Sequence, residues 1–422
     1  MDKQSLFAVV DQHEQELKSM AKQIWDNPEP AYKEYFASKL LKDYLADQGF
    51  TIKAVPDMDT AFIAEYGSGH PILGITGEFD ALPGLNQKIS AKREPATDCA
   101  YGHGCGHNLL GTAGVGAAVA LKALLDEEKL PGTVRFYGCP AEEELSGKPM
   151  MASKGVFNDL DACISWHPAD MNTIWGCSFL AMNSMKFRFK GIPAHAAAAP
   201  QAGRSALDAV ELMNVGANYL REHVIEKARI HYCITNGGSA PNVVPEDAEV
   251  WYYVRAPKRS DVREITERLR KIAEGAALMT ETKVEYQLLA GCYDVVANDV
   301  LGQLMLSNMK EIGSPKWTEE DYKLGQELYD LTTWDQKRKV MDTYFAPDWA
   351  LDKVLFDDAI DVHDRDKVLA GSTDVGDVSY ITPFAQVTAA TWAMGTASHT
   401  WQACAASGSG IGMNAMIYVS KT

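Results

Sequence analysis

The stretch Gly102-His103-Gly104-Cys105-Gly106-His107-Asn108 leads into a long predicted helix, about residues 108–128, that is rich in glycine and alanine. Small side chains let a helix backbone approach its neighbours closely, so we expect this helix to pack against a sheet. Buried strands are predicted from short apolar runs at 60–66, 71–76, 133–139 and 161–166. Strands that alternate with helices predict an α/β domain with a mostly parallel sheet.

Further elements are predicted at both ends of the chain. Apolar residues at helical spacing predict one helix over 5–26, which ends at Asn27-Pro28-Glu29-Pro30 because prolines stop a helix. A second helix is predicted at about 34–48, and helical spacing returns at 296–310. Residues 314–370 are polar and acidic with little strand signal, and short elements are predicted at 386–391 and 410–419.

A different arrangement of elements occupies residues 183–294. The pattern predicts, in order, a strand at 184–189, a helix at 204–222, strands at 231–235 and 249–255, a helix at 259–278 and a strand at 283–290. This β-α-β-β-α-β order is the ferredoxin-like arrangement. We therefore predict one domain formed by residues 1–182 and 295–422, with residues 183–294 inserted as a second domain.

Length, composition and net charge exclude several classes of protein. A chain of 422 residues suits two domains, at roughly 150 residues per domain. The net charge of −17 and the lack of a Lys/Arg cluster argue against a nucleic-acid partner. We find no run of about 18 apolar residues and no signal-peptide core, so no membrane association is expected. Eight scattered cysteines lack the density of a disulfide-stapled domain, which favours a cytoplasmic location.

The glycine-rich stretch also carries the strongest chemical signal. Cys105 and His107 stand two residues apart where the helix begins, and a thiolate and an imidazole are both strong ligands for a borderline-soft divalent metal. The alternative is a glycine-rich turn that holds a cysteine and a histidine with no ligand role.

A second signal follows the predicted strand that ends near Cys139. Glu142 and Glu143 are adjacent carboxylates in a strand-end loop, so their side chains point in different directions and one can bind a metal while the other faces substrate as a general base. The alternative is a solvated acidic turn.

Three more candidates lie at strand ends or in loops. His167 follows the strand at 161–166, His399 lies near the C-terminus, and Asp80 follows the strand at 71–76. Each one alone could be an ordinary core or surface residue. The set is more informative than its members, because the ends of the strands of an α/β sheet are where sites gather.

The order of these motifs resembles the amidohydrolase branch of the aminoacylase/carboxypeptidase metallopeptidases over nearly the whole chain. The motifs that carry the resemblance are Asp80-Ala81-Leu82-Pro83, His103-Gly104-Cys105-Gly106-His107, Pro140-Ala141-Glu142-Glu143, Trp166-His167, Gly191-Ile192-Pro193-Ala194-His195, Asn242-Val243-Val244-Pro245 and His399-Thr400. The tail motifs Gly371-Ser372-Thr373-Asp374 and Ser398-His399-Thr400-Trp401 are most similar to the group that hydrolyses p-aminobenzoyl-glutamate. A related group hydrolyses indole-3-acetyl-aspartate.

The resemblance implies a di-zinc exopeptidase fold with an inserted dimerisation or lid domain, and a role for each motif. The implied metal ligands are Cys105, His107, Glu143, His167 and His399, around two Zn²⁺ ions for which Mn²⁺ or Co²⁺ could substitute. Glu142 would be the general base, and Asp80 would orient His107. His195 would reach the active site of a neighbouring subunit, in a homodimer or a heteromer with a related subunit. Asn242 and Arg255 would bind the substrate carboxylate.

Some residues depart from this pattern or stay outside it. Glu78 stands where the wider family often has a histidine, which leaves the number of metals open. His103 is left out of the ligand set because three ligands within five residues would strain one coordination sphere. His70 and His363 are interpreted as surface residues.

The resemblance implies hydrolysis of an N-acyl amino acid, with an aromatic acyl group and an acidic amino acid. The best single substrate is p-aminobenzoyl-glutamate, which would give p-aminobenzoate and glutamate. Alternatives are an indole-3-acetyl-aspartate hydrolase, a broader aminoacylase or dipeptidase, and a non-catalytic subunit that supports a second chain.

Overall fold

The computed structural model describes residues 2–343, 345–362 and 367–422, so His363 lies outside the described residues. The chain divides into two compact units. The first comprises Met1–Ser178, Val296–Leu369 and Asp377–Thr422, and the second comprises Phe179–Val295 and Ala370–Gly376.

The helices and strands have the following bounds. The α-helices are α1 (Lys3–Gln12), α2 (Glu14–Asp26), α3 (Tyr35–Asp47), α4 (His107–Glu128), α5 (Gly147–Ser153), α6 (Ala206–Leu220), α7 (Arg259–Thr280), α8 (Asp299–Ile312), α9 (Glu319–Asp330), α10 (Trp334–Thr343), α11 (Val375–Ser379), α12 (Trp401–Ser407) and α13 (Gly410–Ser420). The strands are β1 (Thr51–Val55), β2 (Met58–Ser68), β3 (Ile72–Glu78), β4 (Leu82–Pro83), β5 (Tyr101–Gly102), β6 (Gly132–Cys139), β7 (Ala162–Ala169), β8 (Asn172–Ile174), β9 (Ser178–Phe179), β10 (Ala181–Lys190), β11 (Arg229–Asn236), β12 (Asp247–Ala256), β13 (Lys283–Cys292), β14 (Ala359–Ile360), β15 (Val368–Leu369) and β16 (Phe384–Ala390).

The first unit is built on an eight-stranded sheet in the order β1-β2-β6-β3-β7-β16-β8-β14. The four central strands, β6, β3, β7 and β16, run parallel to one another. Antiparallel pairs lie at the flanks, between β1 and β2, β2 and β6, and β16 and β8. The predicted α/β class with a mostly parallel sheet is therefore confirmed.

Helix α4 packs directly on the central strands, as its small residues predict. It is the one helix among the described residues with the length and apolar character to cross a membrane, and most of it is buried in the core. A methyl group added at Gly111 would lie 2.7 Å from the carbonyl oxygen of Glu78, closer than real side chains come to a backbone. The missing side chain is therefore what lets α4 lie against the end of β3.

The second unit follows the predicted β-α-β-β-α-β order, with β10, α6, β11, β12, α7 and β13 in sequence. Its four strands form an antiparallel sheet in the order β11-β12-β10-β13. Apolar residues that alternate along β10 and β12 pack with both helices into a separate hydrophobic core. The ferredoxin-like arrangement is therefore confirmed.

Two predictions about local structure were wrong or incomplete. The helix predicted over 5–26 is two helices. The backbone N–H of His13 donates to the carbonyl oxygen of Val10, three residues back, whereas an α-helix uses the carbonyl four residues back. A new helix begins after His13. Within 314–370 the structure contains α9, whose first turn is closed by a capping box between Thr318 and Asp321. That Thr-x-x-Asp signal is visible in the sequence.

The close approach of α4 and β3 gives a test of the fold. Gly111→Ala should lower the free energy of unfolding by about 1–2 kcal/mol, since the clash with rigid backbone outweighs the better helix propensity of alanine. Gly275→Ala in α7 is the matched control, because a methyl group there meets nothing within 4 Å and should stabilise. Calorimetric unfolding of both variants measures the difference, and equal stabilisation by the two substitutions would contradict this packing.

Candidate functional site

The predicted ligand segments of the first unit gather at one edge of its sheet. Strands β3, β6, β7 and β16 are parallel, so their carboxyl ends lie at the same edge. Five features lie there: Asp80 two residues beyond β3, the glutamates just after β6, His167 near the end of β7, His399 in the connection from β16 to α12, and Cys105 with His107 at the start of α4.

Sharp turns aim these side chains. Gly106 caps α4 with a positive φ of 75°, and His399 itself has a φ of 60°. His399 is held by its backbone N–H, which donates to the carbonyl oxygen of Gly104 at 2.9 Å and so ties two ligand-bearing segments together. The loop after β6 is equally tight, since a side chain at Gly147 would lie 1.7 Å from the carbonyl oxygen of Pro140.

Two groups of ligand atoms share one cysteine. Cys105, His107 and His167 form the first group, and Cys105, Glu143 and His399 form the second, with the ligand atoms of each group within 4.8 Å of one another. The Sγ of Cys105 lies 3.5 Å from Nε2 of His167, and Oε2 of Glu143 lies 3.4 Å from Nε2 of His399. The five sequence-predicted ligands are thus brought together, with Cys105 at the centre.

Asp80 connects two of these ligands. Its Oδ1 lies 2.9 Å from Nδ1 of His107, and its Oδ2 accepts from the backbone N–H of Glu143 at 2.9 Å. Burial alone would raise the pKa of Asp80, but the hydrogen bond and charge of His107 hold that pKa below its usual range. The ionised Asp80 keeps a proton on Nδ1 of His107, so Nε2 is the nitrogen that faces the other ligands.

Buried polar atoms in this cluster fit a cation. Within the described part of the chain, Nε2 of His107, Oε1 of Glu143 and Oε2 of Glu78 are buried and have no hydrogen-bond partner. Leaving such atoms unpaired costs about 1–3 kcal/mol each. A bound cation removes that cost, and thiolate, imidazole and carboxylate are the ligands that Zn²⁺ takes in proteins.

The protonation states agree with this donor set. Burial lowers the pKa of His167 to about 4, so its imidazole is neutral, the form that binds metals. Burial raises the pKa of Glu143 to about 7, as expected where carboxylates crowd together. Burial alone would lower the pKa of His107, but Cys105 and Asp80 raise it well above its usual value. The cluster therefore favours positive charge at Nε2 of His107.

Glu142 lies beside the ligand cluster. It is buried, and its Oε2 lies 3.9 Å from Nε2 of His107. With Glu78 and His107 it forms a third group of ligand atoms within 4.8 Å. The sequence noted Glu78 only as a departure from a pattern and gave it no role in the site.

Glu34 is a supporting residue that the sequence analysis missed. Its buried carboxylate accepts from the backbone N–H groups of Tyr32 and Ala141 and from the hydroxyl of Thr60, at 2.9–3.0 Å. Burial raises the pKa of Glu34 to about 7, with the charge of Asp80 as the second cause. Through Ala141, which has a positive φ of 57°, Glu34 fixes the turn that carries Glu142. Nothing in the sequence distinguishes it from an ordinary helix-end glutamate.

The remaining candidates lie in the second unit. His195 is exposed, and its Nδ1 accepts from the backbone N–H groups of Ala197 and Ala198 at 3.3 and 3.1 Å. In the neutral imidazole, Nε2 must then carry the proton and can donate it. Asn242 is nearby, since its carbonyl oxygen accepts from the N–H of Ala196.

Arg255 is not close to Asn242 within one chain. Asn242 precedes β12 and Arg255 lies at the far end of that strand, about 26 Å further at 3.3 Å per residue. The guanidinium of Arg255 donates to the hydroxyl of Ser372 at 3.1 Å. One chain therefore does not bring both side chains to a single small ligand.

Comparisons with known proteins agree with this architecture. Residues 181–280 match the peptidase dimerisation domain of the M20 family. The chain is 43% identical over 420 residues to a subunit of p-aminobenzoyl-glutamate hydrolase from Escherichia coli (strain K12), a match that covers 97% of this chain and 87% of that protein. It is 30% identical over 318 residues to Xaa-Arg dipeptidase of Mus musculus, a match that covers 72% of this chain and 70% of that protein.

Solved structures show the same fold. A dinuclear metal binding peptidase of the M20 family from Bacillus subtilis aligns with a TM-score of 0.55 and 18% identity, over 98% of this chain and 99% of that one. The match to the E. coli hydrolase spans 97% of this chain and so includes both units. The chain belongs to the M20 family of peptidases and is a hydrolase of amide bonds.

Proposed function

We propose that the chain is a metal-dependent amidohydrolase that cleaves N-acyl amino acids, with p-aminobenzoyl-glutamate as its best substrate. The observation that carries this proposal is the pair of ligand groups centred on Cys105, with the buried carboxylate of Glu142 beside them. The substrate is suggested by the 43% identity to a subunit of p-aminobenzoyl-glutamate hydrolase. The products would be p-aminobenzoate and glutamate.

The proposed metal ligands are the five residues predicted from the sequence. Cys105 belongs to both groups: Cys105, His107 and His167 would hold metal in the first, and Cys105, Glu143 and His399 in the second. When bound, divalent metal ions polarise a carbonyl oxygen and lower the pKa of water to roughly 7. Zn²⁺ suits this donor set, and Mn²⁺ or Co²⁺ could substitute because selectivity also depends on geometry and availability.

Glu142 is the proposed proton carrier. Its carboxylate would take a proton from the attacking water as the new C–O bond forms at the amide carbon. It would then give that proton to the amide nitrogen as the C–N bond breaks, which releases the amino acid as an amine. Such general acid–base transfer contributes on the order of 10²–10⁴-fold to a rate.

The second unit would supply the other contacts of the reaction. The proton on Nε2 of His195 suits hydrogen-bond donation to the oxyanion that develops on the amide oxygen. We propose that this donor acts on the site of a neighbouring subunit, with Asn242 beside it. Arg255 would bind the substrate carboxylate from a different direction, since the two residues lie at opposite ends of β12.

The proposal also covers the partner subunit and the cellular compartment. The dimerisation domain would join the chain to a second copy or to a related subunit, since the similar E. coli protein is named as one subunit of its hydrolase. The eight cysteines are in the reduced form, which supports a reducing compartment such as the cytoplasm.

The main rival is a dipeptidase or aminoacylase that uses the same machinery. The 30% identity to Xaa-Arg dipeptidase supports it. An indole-3-acetyl-aspartate hydrolase differs only in the acyl group and the acidic amino acid. A non-catalytic supporting subunit is the weakest alternative, because it would need neither the shared ligand groups nor Glu142.

The assigned base can be tested directly. Glu142→Ala should lower kcat on p-aminobenzoyl-glutamate by about 10²–10⁴-fold while metal content stays unchanged, because the carboxylate moves protons and is not among the five ligands. Glu144→Ala, which removes an exposed neighbouring carboxylate, is the control and should retain activity. Turnover and elemental analysis of the same preparations measure both quantities, and near wild-type turnover of Glu142→Ala would eliminate this role.

The substrate class can be tested with a panel of amides. We expect kcat/KM for p-aminobenzoyl-glutamate to exceed that for N-acetyl-methionine and for an arginine dipeptide by at least about tenfold, since a pocket built for a charged side chain rejects analogues without it. Indole-3-acetyl-aspartate is the intermediate case. Chromatographic assays measure the released amino acid, and preference for the arginine dipeptide would favour the dipeptidase.

The cross-subunit role of His195 has a complementation test. His195→Ala should lower kcat by about 10²–10³-fold. If it is mixed with Glu142→Ala so that subunits exchange, about a quarter of wild-type activity should return, because half of the dimers are mixed and each mixed dimer has one intact site. A mixture that stays inactive although its subunits exchange would place His195 in the site of its own chain.

A further inference from the structure

A buried ion pair lies against the ligand cluster and has no part in the proposed machinery. Glu78 is the last residue of β3 and Lys148 lies in α5, and their side chains are 1% and 0% exposed. The Nζ of Lys148 donates to Oε1 of Glu78 at 2.5 Å. A buried pair of this kind is costly unless the remaining polar atoms also find partners.

The other oxygen of Glu78 faces a ring nitrogen of the ligand cluster. Oε2 of Glu78 lies 3.3 Å from Nε2 of His107. Because Nδ1 of His107 is turned toward Asp80, Nε2 is the ring nitrogen that lies against this carboxylate oxygen. Both atoms are buried without a hydrogen-bond partner in the described residues. A metal ion between them would give each atom a partner.

The distances suit a metal ion in that position. Two ligand atoms that each lie about 2.0–2.2 Å from a tetrahedral Zn²⁺ are separated by roughly 3.3–3.6 Å. The observed 3.3 Å between Oε2 and Nε2 falls in this range. Lys148 donates to Oε1 and so holds the carboxylate in place, while Oε2 is buried without a hydrogen-bond partner among the described residues.

We infer that Glu78 is a further metal ligand, which shares through Oε2 the cation bound by Nε2 of His107, and that Lys148 is its positioning residue. This inference rests on the proposed function, because it requires that the chain binds a divalent metal. It adds an oxygen ligand to the five residues predicted from the sequence. Glu142, whose Oε2 lies 3.9 Å from the same nitrogen, keeps its proposed role as the proton carrier.

The test measures Zn²⁺ binding rather than activity. Metal-free wild-type protein, Glu78→Gln and Glu144→Gln are titrated with Zn²⁺ alone against a chromophoric chelator. Glu78→Gln should weaken one of the two sites at least about tenfold, because its amide can still accept from Lys148 but offers Nε2 of His107 a hydrogen bond in place of a ligand. Glu144→Gln removes the same charge from an exposed neighbour and should bind Zn²⁺ as the wild type does.

Glu78→Asp separates a ligand role from a folding role. It keeps the charge that Lys148 needs but withdraws the carboxylate by one methylene, so it should also bind one Zn²⁺ more weakly while its circular dichroism matches the wild type. Wild-type stoichiometry and Kd in a folded Glu78 variant would overturn the inference.

A crystal structure of the Zn²⁺-loaded wild-type protein tests the ligand role of Glu78 without variants. Oε2 of Glu78 should lie about 2.0–2.2 Å from an ion, and a separation beyond about 3 Å would overturn the assignment. Failure of the proposed function gives a different result, since the wild type itself would then bind no Zn²⁺.

Discussion

The carboxylate of Asp80 is the interaction on which the site depends. One oxygen bonds to Nδ1 of His107 and the other accepts from the backbone of Glu143, so a single buried group orients the start of α4 and the loop after β6. The two segments come from positions far apart in the chain, and Asp80 belongs to a third. Because Nδ1 of His107 is bonded to Asp80, Nε2 is the ring nitrogen that points into the cluster. The orientation of one histidine ring therefore links the fold to the proposed chemistry.

The close packing of the first unit makes this arrangement possible. Gly111 lets α4 approach the end of β3, and this brings His107 within reach of Asp80 and Glu78. Tight turns at Gly106, Ala141 and His399 then direct the side chains toward one another. Glu34 braces the turn that carries Glu142 through backbone hydrogen bonds. The site is therefore held by rigid elements, as the precise placement of the proposed metal ligands and base requires.

The concentration of buried charge explains why the cluster favours cations. Burial acts against ionisation of Cys105 and Glu143, and it raises the pKa of each side chain. Among the described residues, Glu78, Glu143 and His107 each have a buried polar atom without a hydrogen-bond partner. Bound divalent ions would reverse these penalties, since a coordinated thiol loses its proton and an ionised carboxylate gains a partner. The same charges that would destabilise an ordinary core thus become the source of affinity for metal.

The sequence by itself determined the fold class and supplied the candidate residues of the site. Short apolar runs and helical periodicity are local properties of the chain, so they revealed the parallel sheet and the β-α-β-β-α-β insertion, and the ordered motifs identified the family. Local patterns missed the break at His13, because that depends on which carbonyl a single N–H meets. Only the tertiary structure paired Glu78 with Lys148 and His107, recruited Glu34 to the loop of Glu142, and separated Arg255 from Asn242. These relationships arise from contacts between distant segments, and the direction of a side chain in space is decided by the packing of its neighbours rather than by its position in the chain.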